Sequence, residues 1–263
     1  MADSKKYTSK LSGKRILVIG GSSGIGYCVA EASVESGASV IISSSNEAKI
    51  KASIDNLLKI YPSAKDRVSG YPCDLSSPSL ESNIEKLLSQ CGGKLDHIVF
   101  TAGGNLAIQK IEDATLEGIQ KAAMIRFNAP LLLAKHARKH LNSGPAASIT
   151  LTTGAVSERP LKDWSVIASY GSAPIRVNLV SPGAVLTPLW DGMSKEQLDH
   201  FTKMIKEKVP TGEIGRPEDV AESYLYVLPI MITGTVTNRR RYVMRDWNCT
   251  GSVISTNGGS LLT

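Results

Sequence analysis

Gly20, Gly24 and Gly26 follow the apolar run Ile16-Leu17-Val18-Ile19, and a helix-like stretch follows them. Glycines at this spacing let the backbone turn sharply and come close to a ligand. The N–H groups that open the next helix then face an anion. A strand, this spacing and a helix in that order imply a dinucleotide diphosphate cradled by Gly20, Ser22, Ser23, Gly24, Ile25 and Gly26. No metal site is expected. His136 and His140 stand four apart, as in some zinc sites, but their neighbours are Lys and Arg, so a solvated helix end is the expectation. His97 and His200 have no evident chemical partner in the sequence.

The elements that must position this turn alternate along the chain. Strand patterns cover 15–19, 38–42, 67–73, 97–101, 148–152, 176–180 and 252–255. Helix patterns cover 25–36, 46–60 and 78–90, with one long helix or two over 113–142. Alternation of this kind predicts an α/β fold, a doubly wound parallel sheet of about seven strands covered on both faces. The 263 residues suit one such domain, with no repeat and no second boundary. Residues 1–10 are expected to be disordered.

Composition narrows the function classes. Hydrophobic content is 42%, and no apolar run approaches the roughly 20 residues of a membrane span. The start of the chain lacks the apolar stretch of a secretory signal, so a cytoplasmic location is expected. Cys28, Cys73, Cys91 and Cys249 are scattered without a Cys-x-x-Cys pair and read as free thiols. The net charge of +6 favours an anionic ligand. With no interleaved basic and aromatic pattern, it does not point to nucleic acid.

Several ordered motifs resemble the short-chain dehydrogenase/reductase family from about residue 11 onward. Residues Ile19 to Gly26 resemble its Thr-Gly-x-x-x-Gly-x-Gly, with Ile19 in place of Thr. Cys73-Asp74-Leu75 resembles the Asp-Leu pair at the adenine, which implies that role for Asp74 and Leu75. Thr101-Ala102-Gly103-Gly104 resembles the Asn-Ala-Gly element, placing Ala102, Gly103 and Gly104 at the cofactor. Ser181-Pro182-Gly183 resembles the turn beside the nicotinamide, so the resemblance assigns Pro182 and Gly183 there and Thr187 to the carboxamide. Gly215 to Asp219 resembles the start of a late helix, and Asn257-Gly258-Gly259 the family's C-terminal turn. At the end of the second strand stand Ser43, Ser44, Ser45 and Asn46, with no acid before Glu47. An acid there would repel a 2′-phosphate, so NADP(H) is the expected cofactor. The same residues also suit helix capping.

The resemblance fails at the reacting centre. The family's proton-donating Tyr falls on Val166, its Lys on Tyr170, its Ser on Thr153 and its Asn on Arg126. Val166 has no proton to give. This replacement pattern is similar to atypical fungal reductases of secondary metabolism, including the reductase/Diels–Alderases of indole-alkaloid pathways. The resemblance implies Arg126 as an orienting group and Asp163, one helical turn before Val166, as the stabiliser of a cation. Taken alone, each would read as a surface charge. Thr153 and Tyr170 are secondary hydrogen-bonding candidates. Trp164, Trp190 and Met193 line an aromatic substrate pocket or simply pack.

Two anomalies interrupt the pattern. Only 160–172 stand where the family's long crossover helix precedes the sixth strand, so that helix is largely missing. Its loss would weaken a homo-oligomer interface. Residues 228–241 form an atypical insert. The expected function is NADP(H)-dependent hydride transfer to a C=N or C=O of a small organic, alkaloid-type substrate. The alternatives are a cyclase that uses the nucleotide as a pocket wall and an inactive nucleotide-binding remnant.

Overall fold

In the computed structural model the described residues are 10–104, 106, 108–143, 147–154, 163, 164, 166, 178–209, 211–227 and 253–256. Seven strands form one parallel sheet: β1 (Arg15–Ile19), β2 (Ser39–Ser44), β3 (Val68–Pro72), β4 (His97–Phe100), β5 (Ser148–Thr152), β6 (Asn178–Pro182) and β7 (Val253–Thr256). Their order is β3-β2-β1-β4-β5-β6-β7. The chain runs outward from β1 to β3, then returns to β4 on the other side of β1. The loops after β1 and β4 therefore diverge, and a crevice opens between them at the carboxyl ends of the strands.

The central strands β1 and β4 are buried on both faces, so β1 reads as the continuous run Ile16, Leu17, Val18, Ile19. One face packs against α1 (Gly24–Glu35), α2 (Glu47–Ile60) and α7 (Pro217–Val227). In α1 the buried residues Gly26, Val29, Ala30, Ser33 and Val34 recur at three- and four-residue spacing and make the inward stripe. Gly37, at φ +86, ends that helix in a conformation that favours glycine. The other face packs against α3 (Leu80–Gln90) and α5 (Ala129–Ala137) through Ile84, Leu87, Leu88, Leu133 and Ala137.

The stretch expected to be one or two helices is a single run with three parts. α4 (Leu116–Ala123) passes into a π-helical turn, Met124–Asn128, and then into α5. In the described residues β6 runs Asn178–Pro182, two residues beyond the predicted end at 180. A helix not anticipated, α6 (Lys195–Lys208), opens on a Ser194–Gln197 capping box. Most of the connection from β5 to β6 lies outside the described residues. The missing crossover helix, the 228–241 insert, residues 1–9, Tyr170, Cys249 and Asn257 to Gly259 fall there too.

Two polar expectations change, and that of free thiols holds at the three described cysteines. His97 does have a partner: its buried Nδ1 lies 2.9 Å from Ser148 Oγ. His136 is not a solvated helix end, because its side chain is only 13% exposed and its ring nitrogens lie 2.7 Å from Glu81 and 3.1 Å from Glu85. Cys28, Cys73 and Cys91 are free, and burial pushes each thiol up to about 11. No helix among the described residues is long and apolar enough to cross a membrane.

His97 gives the fold a measurable acid sensitivity. Burial pulls its pKa down to about 4, against about 6.5 in an unfolded chain. Between those values the unfolded chain holds a proton that the native ring refuses, so stability falls as pH drops from 6.5 to 4. The loss is on the order of 3 kcal/mol across that window. Urea midpoints measured across it are expected to fall, and a His97→Gln variant is expected to flatten the slope. An unchanged slope in the variant would exclude His97 as the cause.

Candidate nucleotide crevice and reacting centre

The glycine turn sits at the mouth of the β1–β4 crevice. Gly20 N and Gly21 N donate to Ser43 O at 2.8 and 3.2 Å, fixing the turn to the end of β2. Gly20 has φ +91, and a Cβ there would lie 2.6 Å from Ala102 N. A Cβ on Gly26 would overlap Gly20 O and Thr101 Oγ1 and lie 2.8 Å from Gly20 C. These two positions admit nothing larger than hydrogen, because the first turn of α1 presses directly on the turn it follows. Thr101 N and Oγ1 also donate to Ile19 O, at 2.8 and 3.2 Å, locking Ala102, Gly103 and Gly104 beside it.

The start of α1 is electrostatically open. Its N-cap, Ser23, makes no side-chain capping bond, and its first turn holds no acid. By contrast α2, α4 and α6 have side-chain caps from Asn46, Thr115 and Ser194 and acids in the first turn. The positive end of α1 is thus left for an external anion, which fits a diphosphate. Thr187 leans over it, since a Cβ on Gly24 would lie 3.2 Å from Thr187 Cβ and Cγ2. Thr187 caps the short 3-10 turn Pro188–Trp190. Pro182 ends β6, and Gly183 follows as the chain leaves the sheet toward Thr187.

At the end of β2, Ser43 is fully buried and its Oγ has no hydrogen-bond partner among the described residues. Ser44 is half-buried, and its Oγ accepts from Asn46 N at 3.2 Å. Ser45 and Asn46 are exposed, and Asn46 Oδ1 caps α2 through Lys49 N at 3.0 Å. The capping role is therefore real, and no carboxylate stands at this strand end before Glu47. Asp74 is exposed beyond β3. Hydrogen bonds from the Ser76 hydroxyl and amide, at 2.6 and 2.9 Å, hold its carboxyl below the usual range. Leu75 is buried beside it.

Further along the crevice, Thr152 Oγ1 donates to Phe100 O at 2.9 Å and bonds the fully buried Tyr224 hydroxyl of α7. Burial raises the pKa of that phenol. This staple joins the ends of β4 and β5, from which Gly103 and Thr153 spring. Thr153 N donates to Val180 O at 3.0 Å. Arg126 lies in the π-helical turn, and its Nη2 donates to Gly104 O at 2.9 Å. Partial burial draws its pKa below the usual guanidinium value. A Cβ on Gly103 would meet Arg126 Nη2 at 3.3 Å, so the cation lies directly on the loop after β4.

Asp163 departs from the expected geometry. Its φ is +66, a left-handed conformation, so it is not one turn before Val166 in a right-handed helix. Asp163 therefore does not share an (i, i+3) helical face with Val166. Its carbonyl accepts from Gln109 N at 2.9 Å, which ties it to the loop after β4 instead. Val166 is buried at 6% exposure. Trp164 and Trp190 do come together, with centroids 6.2 Å apart, and both pack on Phe201 of α6, which sequence reasoning missed. Met193 is partly buried, and its amide donates to Trp190 O.

A parallel sheet of this order, with a glycine turn and an open helix terminus at its switch point, defines a dinucleotide-binding domain of Rossmann type. The SDR-like Rossmann domain model matches residues 7–241, so the chain belongs to the short-chain dehydrogenase/reductase family and is an oxidoreductase of that type. It is 44% identical to the short-chain dehydrogenase/reductase fsr5 of Gibberella fujikuroi over 281 aligned positions that span all of both chains. It is 38% identical to malC of Malbranchea aurantiaca over 283 positions, again spanning both. Both alignments are longer than the 263-residue chain, so these relatives carry residues that it lacks. The structure of MalC Reductase/Diels-Alderase from Malbranchea aurantiaca superposes with a TM-score of 0.81 at 37% identity, covering 97% of this chain and 99% of that one. A small-chain dehydrogenase in complex with NADPH gives 0.69 at 24% identity, a likeness of fold.

Proposed function

We propose that this chain is an atypical NADP(H)-dependent reductase that delivers hydride to the C=N carbon of an iminium in a small organic substrate. The observation that carries the reading is that Val166, which the sequence resemblance aligns with the family's proton-donating Tyr, is buried. An iminium already carries positive charge, so its reduction needs no acid. It needs a counter-charge, which Asp163 supplies from the segment beside Val166. The bound dihydronicotinamide supplies the hydride. Around it, the amides opening α1 hold the diphosphate, Ser44, Ser45 and Asn46 face the 2′-phosphate, and Asp74 and Leu75 border the adenine. Pro182, Gly183 and Thr187 border the nicotinamide. Arg126 orients the acceptor from the loop side, and Thr153 offers a hydroxyl at the end of β5. The names of malC and its solved structure support a reductase.

The test uses protonated 3,4-dihydroisoquinoline as the iminium. One NADPH is expected to be consumed per amine formed, with little turnover of a neutral ketone. Conversion of an unsaturated substrate without NADPH consumption would instead support the cyclase. Saturating NADPH at about 100 times its dissociation constant is expected to stabilise the fold by about 2.7 kcal/mol. No shift with either nicotinamide cofactor would support the inactive remnant.

A further inference from the structure

We propose that Phe201 is a positioning residue for Asp163, acting through Trp164; this rests on the reading that Asp163 faces the reacting carbon. None of the residues of α6 is fully buried, so this largely polar helix has little hold on the body. Phe201 is partly buried and meets two indoles. Its centroid lies 4.7 Å from Trp190, and it stacks on Trp164 at 6.4 Å and 12°. Trp190 is the fixed member: it is 7% exposed, and its Nε1–H donates to Val185 O at 2.7 Å. Trp190 and Phe201 therefore form one paired platform against which Trp164 packs.

Trp164 adjoins Asp163, whose left-handed backbone (φ +66) is one that aspartate tolerates better than most residues. Contacts on both flanks hold it there. Gln109 N–H grips the Asp163 carbonyl on one side, and the ring cluster grips Trp164 on the other. Phe201 touches neither cofactor nor reacting atoms in this scheme; it sets where the carboxylate sits.

The direct readout is exchange of the Gln109 amide hydrogen, which reports the Asp163 carbonyl. In Phe201→Ala that amide is expected to exchange at least tenfold faster, while Val99 in β4 keeps its protection. NADPH affinity is expected to stay within twofold, kcat for protonated 3,4-dihydroisoquinoline to fall at least tenfold, and Phe201→Tyr to restore both exchange and kcat. Should Phe201→Ala fail to fold, Phe201→Leu, which keeps apolar bulk without a flat ring, carries the same test. Unchanged Gln109 protection in a folded variant overturns the proposal, even if Asp163 proves essential. An active Asp163→Asn enzyme would overturn the catalytic reading instead and leave the exchange result standing.

Discussion

Asp163→Asn is expected to lower kcat by a factor on the order of 10²–10⁴ while NADPH affinity stays within about twofold. Asparagine keeps the size of the side chain and also tolerates a φ near +66, so the backbone and the Gln109 bond are preserved. What disappears is one negative charge. If that charge faces the cationic carbon–nitrogen unit, the loss falls on the chemical step and not on cofactor binding. Steady-state kinetics with the iminium probe, paired with calorimetric titration of NADPH, separate the two. Equal losses in both would assign Asp163 a structural role.

The second large effect belongs to the glycine turn. Gly26→Ala is expected to cost about 3 kcal/mol or more and to remove the stabilisation by NADPH. The new methyl group would overlap Gly20 O and Thr101 Oγ1, both held by the main chain of the crevice. Relief would require the turn to lift away from β4, which breaks the alignment of the amides that receive the diphosphate. Gly192→Ala is the control, because a Cβ there meets nothing within 4 Å. Thermal melting with and without NADPH is expected to distinguish the two variants clearly. A Gly26→Ala protein with a normal melting point and a normal NADPH shift would rule out this geometry.

The sheet was legible because its strands are apolar runs punctuated by turns. β1 and β5 occur at the predicted residues, and their neighbours differ by one or two. Helix α6 was missed because its pattern is mostly polar; the Ser194–Gln197 capping pair was the signal that announced it. Nothing in composition separates the π-helical turn from ordinary helix. The glycine turn was readable because its need is local. The reacting centre was less so. The left-handed Asp163, the Arg126 bond to Gly104 and the Phe201 ring join segments far apart in sequence, and only the fold brings them together.

The wide turn at Met124–Asn128 has a consequence for how this scaffold changes over time. Ala129 N–H reaches back to Met124 O, so one residue more than usual is stored in the turn. That surplus rotates everything downstream by about 100°. The downstream half answers to α3 and the sheet, whereas Leu116–Ala123 buries no residue. The upstream half is therefore freer to accept substitutions, while the foundation beneath stays under separate selection.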